Sequence, residues 1–277
     1  MTDAAPDALR TVAERVVADA AEFVRRRRAE ILGPEERTRA DAVLRSKSSP
    51  TDPVTLADTD TEGFVRDRLS RLRPGEPILG EEHGGADAVP GAVRWVVDPI
   101  DGTVNFVYGI PAYAVSLAAQ VDGVSVAGAV ADVCSGEIYS AAIGRGASVC
   151  VGAKRKALRC NDVSELSMAL LGTGFGYDQR RRAAQGALLA ELLPMVRDVR
   201  RFGSAALDLC QVAAGRLDAH YEHGLNLWDW AAGALIAAEA GAVVVLPEGQ
   251  PGLLIAAAPG VAGELRGALR RAATPVP

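Results

Sequence analysis

Trp95-Val96-Val97-Asp98-Pro99-Ile100-Asp101-Gly102-Thr103-Val104-Asn105-Phe106 is an apolar strand pattern that runs into two carboxylates three residues apart. Pro99 fixes one backbone dihedral between them, and Asp101-Gly102 favours a turn, so both acids can converge at the strand's end. Thr103 suits the N-cap of a short helix whose free backbone N–H groups would face an anion.

Working outward, Ile78-Leu79 is a second apolar strand, ending in Gly80-Glu81-Glu82. It offers another carboxylate at the same edge of a sheet. Asp58 lies further upstream, in Thr55-Leu56-Ala57-Asp58. Clustered acids would repel by about 4 kcal/mol per close pair at ~4 Å and an effective dielectric of ~20. Such a cluster demands cations. Oxygen-only ligands point to a hard ion, magnesium before zinc. The three histidines, His83, His220 and His223, lack metal-ligand spacing and read as surface or supporting residues.

The rest of the chain is consistent with a mixed helix-and-sheet protein. Its 277 residues are 49% hydrophobic and 23% charged, enough to build a sizeable core, and the net charge of −5 gives no footprint for nucleic acid. The N-terminus lacks an apolar secretory stretch and no segment reads as membrane-spanning. Cys134, Cys150, Cys160 and Cys210 are scattered among apolar residues, as expected of buried thiols in a reducing compartment. A cytoplasmic location is the expectation.

Apolar spacing predicts a first amphipathic helix from Leu9 to Gly33-Pro34 and a second through Phe64, Val65, Leu69 and Leu72, stopped by Pro74-Gly75. A Ser- and Pro-rich linker, Ser46 to Pro53, separates them. The Arg25–Arg28 run reads as a solvated helix C-terminus. Pro77 to Gly80 and Val93 to Val97 read as strands, and Tyr113 to Val133 as strand, Asp-Gly turn, strand. Later come a strand at Met168 to Leu171, helices near Ala183 to Val196, Ser204 to Ala214 and Asp229 to Ala240, and a closing strand at Ala242 to Leu246. Gly144 to Leu158 is short and basic.

Asp98-Pro99-Ile100-Asp101-Gly102-Thr103 resembles the first signature of the inositol monophosphatase family, and Leu227-Trp228-Asp229-Trp230-Ala231-Ala232-Gly233 resembles its C-terminal signature. Lys47-Ser48-Ser49, Gly80-Glu81-Glu82 and Tyr221-Glu222 fall in the family's order, closest to the bacterial inositol-1-monophosphatases of actinobacteria. The resemblance implies an α+β fold, a layered α/β/α/β/α sandwich of the inositol monophosphatase and sugar phosphatase type. It also implies a single domain over 1–277, with metal and phosphate motifs in 1–160 and substrate contacts with the last metal ligand in 161–277.

It further implies Mg2+-dependent hydrolysis of a small polyol phosphate monoester, foremost inositol-1-phosphate, with two or three ions per subunit. Glu81, Asp98 and the Ile100 carbonyl would hold one ion; Asp98, Asp101 and Asp229 would hold a second. Thr103, oriented by Asp58, would activate water together with Glu81. The Gly102 and Thr103 amides would cradle phosphate, with Asp101 and Asp229 also facing substrate. Glu222, Ser204 and Ala205 would contact polyol hydroxyls. Lithium sensitivity and a homodimer are further implications, with no nucleic-acid or membrane partner.

Competing readings stay open. Histidinol phosphate, fructose-1,6-bisphosphate or a nucleotide 3'-phosphate could be the substrate on the same metal site. A regulatory or protein-binding role could stand beside or replace catalysis. Gly172-Thr173-Gly174-Phe175-Gly176 invites a nucleotide-binding reading but is not the Gly-x-Gly-x-x-Gly fingerprint. A covalent serine mechanism lacks a Gly-x-Ser-x-Gly elbow, which leaves water as nucleophile.

Overall fold

The computed structural model describes residues 5–32, 45–46, 53–54, 56–85, 88–249 and 251–272. Lys47-Ser48-Ser49 and nearly all of the expected linker lie outside the described residues.

In chain order, helix α1 (Pro6–Leu32) precedes two short paired strands, β1 (Arg45–Ser46) and β2 (Pro53–Val54), and helix α2 (Leu56–Leu72). Seven strands then form one sheet in sequence order: β3 (Ile78–Gly80), β4 (Val93–Asp101), β5 (Ala114–Val121), β6 (Val124–Asp132), β7 (Glu137–Ala142), β8 (Ala147–Val151) and β9 (Lys154–Ala157). The short helix α3 (Thr103–Tyr108) follows β4 directly. Only β3 and β4 run parallel; the rest is an antiparallel meander. Asp122 and Gly123 both take positive φ, 51° and 80°, as a two-residue hairpin turn requires.

The second half supplies β10 (Leu170–Thr173), α4 (Gln179–Leu192), β11 (Asp198–Arg200), α5 (Ala205–Ala213), β12 (Ala219–His223), α6 (Leu227–Glu239), β13 (Val243–Val245), β14 (Leu253–Ala257) and α7 (Pro259–Ala272). Its sheet has the order β11-β10-β12-β14-β13, parallel across β11, β10 and β12 and antiparallel beyond.

Burial arranges these pieces as five layers. Alternate residues of β4 and β5 go to opposite faces, as the pleat demands. Trp95, Val97, Val115 and Leu117 meet α1 and α2 through Val16, Val17, Ala20 and Val65. Val96, Ala114 and Ala118 meet α5 and α6 through Ala206, Cys210, Ala232 and Ile236. The other side of that helix pair, with Leu209, Val212, Ala234 and Ala237, covers Leu254 and Ala256 of the second sheet. α4 and α7 close the far face with Leu188, Leu192, Val261 and Leu265. The result is the expected α/β/α/β/α sandwich. A helix held between two sheets must be apolar all round, hence the alanine-rich α6. A Cβ on Gly128 of β6 would stand 3.1 Å from the Ala232 backbone, so small residues set that close spacing.

Several expectations need correction. The helix expected near Ala183 to Val196 starts at Gln179, because Asp178 caps it by accepting from the Arg181 N–H at 2.8 Å, and a 3-10 turn around Pro194 replaces its end. Met168 belongs to a 3-10 turn, and the strand begins at Leu170. Val243–Val245 is an edge strand rather than the close of the chain: β14 inserts between it and β12, and α7 follows. The basic stretch of Gly144 to Leu158 is the β8–β9 hairpin at the sheet edge, and charged edge residues oppose further strand addition. The arginine run does not end α1. Arg25 donates to the Val133 carbonyl at 2.8 Å, and Arg28 donates to the Phe106 carbonyl at 3.1 Å. Of the cysteines only Cys210 is buried; Cys134 is exposed and the other two are partly exposed. Among the described residues no helix is long and apolar enough to cross a membrane.

Candidate active site

The site lies where the ends of the two sheets meet the starts of α3, α5 and α6. A cavity of about 690 Å³ opens there, lined by Glu81, Asp98, Asp101 and Asp229 together with Thr103, Ser204 and Glu222.

A fault in strand pairing delivers the first two acids. Residues three apart on a regular strand point to opposite faces. Between β4 and β5, however, Asp98 pairs with Ser116 and Asp101 with Ala114, so β4 carries one extra residue there. Such a bulge re-aims side chains and tolerates a proline, here Pro99. Asp98 is 2% exposed and accepts the Ile100 N–H at 3.1 Å. β3 runs parallel to β4 with Gly80 opposite Val97, which sets Glu81 beside Asp98.

Glu81 owes its position to a residue that sequence reading missed. Glu62 of α2 is fully buried and accepts the N–H groups of Glu82 at 2.7 Å and His83 at 3.2 Å, and Arg66 donates to it at 2.8 Å. A Cβ on Gly80 would strike this carboxylate at 2.2 Å, so a side chain there would displace Glu62 from its N–H partners. In sequence, Glu62 and Arg66 look like an ordinary surface pair four residues apart. Glu62→Ala should cost on the order of 1 to 3 kcal/mol, since it removes the shared acceptor of two part-buried backbone N–H groups and of Arg66. It should also weaken divalent-ion binding, read by urea unfolding and Mg2+ titration; unchanged values in both would refute the role.

Gly102 takes φ 96° and is itself the N-cap of α3, so Thr103 is the first helical residue rather than the cap. The Thr103 hydroxyl is turned back, 3.0 Å from Asp58 Oδ1 and 3.1 Å from the Ile100 carbonyl. Asp58 is fully buried in the first turn of α2. Asn105 ties the halves together, donating to the Ala112 and Phe202 carbonyls, each at 2.7 Å.

Asp101 Oδ2 accepts the Ser204 hydroxyl at 2.6 Å and the Ala206 N–H at 2.7 Å, so the carboxylate sits at the start of α5. Ser204, the N-cap of α5, is thereby turned onto Asp101. Asp229 is the third residue of α6 and accepts the Asn226 N–H at 2.6 Å in a capping box, with Asn226 as the cap. Glu222 stands on β12 and lines the same cavity.

The electrostatics of this group are strained. Burial, then Glu81, Asp101 and Asp229, push the Asp98 carboxyl well above the usual carboxylate range. Burial raises Asp101 to about 7 against the pull of Ser204 and Ala206, and it raises Asp229 strongly, reinforced by Asp101 and Glu81. Glu81 and Asp98 hydrogen-bond each other, and among the described residues no three acids are already drawn into ligand geometry. An all-oxygen donor set in which burial and neighbouring carboxylates raise the proton affinity of Asp98, Asp101 and Asp229 fits a hard divalent cation, which would replace the protons as counter-charge.

The profile of the "Inositol monophosphatase family" matches residues 6–275. The chain is 62% identical over 277 residues to the inositol-1-monophosphatase SuhB of Mycobacterium tuberculosis, covering 97% of this chain and 96% of that one. It is 38% identical over 233 residues to Nus factor SuhB of Pasteurella multocida, covering 82% and 86%. Mycobacterium tuberculosis SuhB also matches as a solved structure, with TM-score 0.83, 58% identity and 98% of each chain covered.

Proposed function

The chain belongs to the inositol monophosphatase family, and on that premise we propose that it hydrolyses inositol-1-phosphate to myo-inositol and phosphate, with Mg2+ as cofactor. The observation that carries this reading is the set of four mutually repelling carboxyl groups, Glu81, Asp98, Asp101 and Asp229, in one cavity beside a helix start.

Those four side chains and the Ile100 carbonyl are the residues that would hold two or three ions. Bound ions supply charge neutralisation on the phosphoryl group, a more acidic water and a stabilised leaving alkoxide. The protein's own part is placement. The Gly102 and Thr103 amides at the start of α3 donate to the phosphate. The Thr103 hydroxyl, fixed by Asp58, orients the attacking water, and the Glu81 carboxylate takes up its proton. Glu222, Ser204 and Ala205 face the polyol. The protein acts as one domain whose halves, 1–160 and 161–277, bring phosphate and polyol contacts together; it works in the cytoplasm as a homodimer and is inhibited by Li+.

A substrate panel tests the reading. Inositol-1-phosphate should give the highest kcat/KM against histidinol phosphate, fructose-1,6-bisphosphate and a nucleotide 3'-phosphate, with Li+ suppressing turnover. A preference for any of the other three would move the substrate assignment. Similarity to a relative named as a Nus factor favours a second reading, protein binding beside catalysis. Capture of a specific partner by an Asp98→Asn protein would support it.

A further inference from the structure

Gly172-Thr173-Gly174 has a structural purpose unrelated to nucleotides. It spans the end of β10 and the residue after it, and Gly172 is in register with His220 of the neighbouring parallel strand β12. A Cβ on Gly172 would stand 2.7 Å from Leu217 Cδ1 and 3.0 Å from His220 Nδ1, and one on Gly174 would stand 2.1 Å from Glu222 Oε2. Both glycines are bare backbone beneath side chains of the next strand.

The His220 ring is fully buried between two carboxylates. Nδ1 is 3.7 Å from Asp208 Oδ2 of α5, and Nε2 is 3.5 Å from Glu222 Oε2. Neither ring nitrogen nor Asp208 Oδ1 has a closer hydrogen-bond partner. Burial lowers the proton affinity of the imidazole, but Glu222, Asp208 and the more distant Asp101 more than offset this. Burial raises Asp208 to about 7, opposed by His220. A buried imidazole between two acids is a poor choice for stability alone, because each charged group loses its hydration. What it provides is direction: Glu222 has a bare backbone below it and a fixed imidazole, its Nε2 3.5 Å away, behind it.

We propose that His220, backed by Asp208 and seated against Gly172 and Gly174, is a positioning residue that holds the Glu222 carboxylate at the polyol end of the cavity. Leaving-group recognition then depends on a side chain that does not touch substrate. The inference rests on the reading of Glu222 as a polyol contact.

The test compares kcat/KM for inositol-1-phosphate with that for p-nitrophenyl phosphate, which has no hydroxyls for Glu222 to read. His220→Phe should lower the ratio of the two about 10-fold, the scale of one well-placed hydrogen bond to a charged group, chiefly through KM for inositol-1-phosphate. His220→Gln, which keeps an N–H donor near the Nε2 position, should recover most of it. Gly174→Ala should reproduce the loss while folding normally, because its methyl meets only the far end of the flexible Glu222 side chain; it carries the test if His220→Phe fails to fold. Equal losses on both substrates, or no loss where Glu222→Gln shows one, would overturn the proposal. A Glu222→Gln protein with an unchanged ratio would remove the premise itself, and that outcome is distinguishable from the others.

Discussion

Asp98→Asn is expected to lower turnover of inositol-1-phosphate on the order of 10²-fold or more, the scale of losing one main transition-state stabiliser. Burial, then Glu81, Asp101 and Asp229, push the Asp98 carboxyl upward. On the proposed metal site, its removal would weaken every ion these residues would hold. The same substitution should raise the melting temperature of the metal-free protein at neutral pH. A carboxyl whose folded pKa is raised is at its most favourable below its unfolded pKa and becomes a cost as pH rises through the folded value. Asparagine carries no such cost. Loss of activity with gain of metal-free stability separates a functional acid from a structural one, and near-normal turnover at saturating Mg2+ would contradict the assignment.

Thr103→Val should lower kcat by about 10² to 10⁴ while leaving KM close to that of the parent protein. Valine keeps the shape of the side chain and the backbone N–H proposed to face phosphate, but it removes the hydroxyl held 3.0 Å from Asp58 Oδ1. Ground-state binding is thereby spared and the water loses its guide. If Asp58 acts only through that hydroxyl, Asp58→Asn added to Thr103→Val should cost little more than Thr103→Val alone. Kinetics of the two single variants and the double variant decide this. Multiplying losses would place Asp58 in an independent role, and a change confined to KM would remove Thr103 from the chemistry.

Much of this site is legible in sequence because it is built at strand ends. Ile78-Leu79 before Glu81 and Trp95-Val96-Val97 before Asp98 are apolar runs that stop at an acid, and the parallel pairing of β3 with β4 brings those stops together. The convergence of Asp98 with Asp101 is foreseen from Pro99 and Gly102, although the bulge that causes it shows only in the pairing with β5. Other features depend on long-range pairing that no local pattern records. The five-stranded sheet mixes strands of three to five residues with helices between them, and its order β11-β10-β12-β14-β13 cannot be read from periodicity. Gly260, Gly263 and Gly267 obscure α7, yet Val261, Leu265, Ala268 and Leu269 keep a helical period that packs on the second sheet. Glu62 and Asp208 look like surface acids in sequence and are fully or almost fully buried in the fold. Charged residues of this kind acquire their roles from backbone N–H groups and side chains distant along the chain.

The most direct measurement is phosphate release from inositol-1-phosphate by chelator-treated protein, before and after Mg2+ is restored. The carboxylate cluster predicts negligible release without the ion and full recovery with it. Equal rates in both conditions would contradict the account.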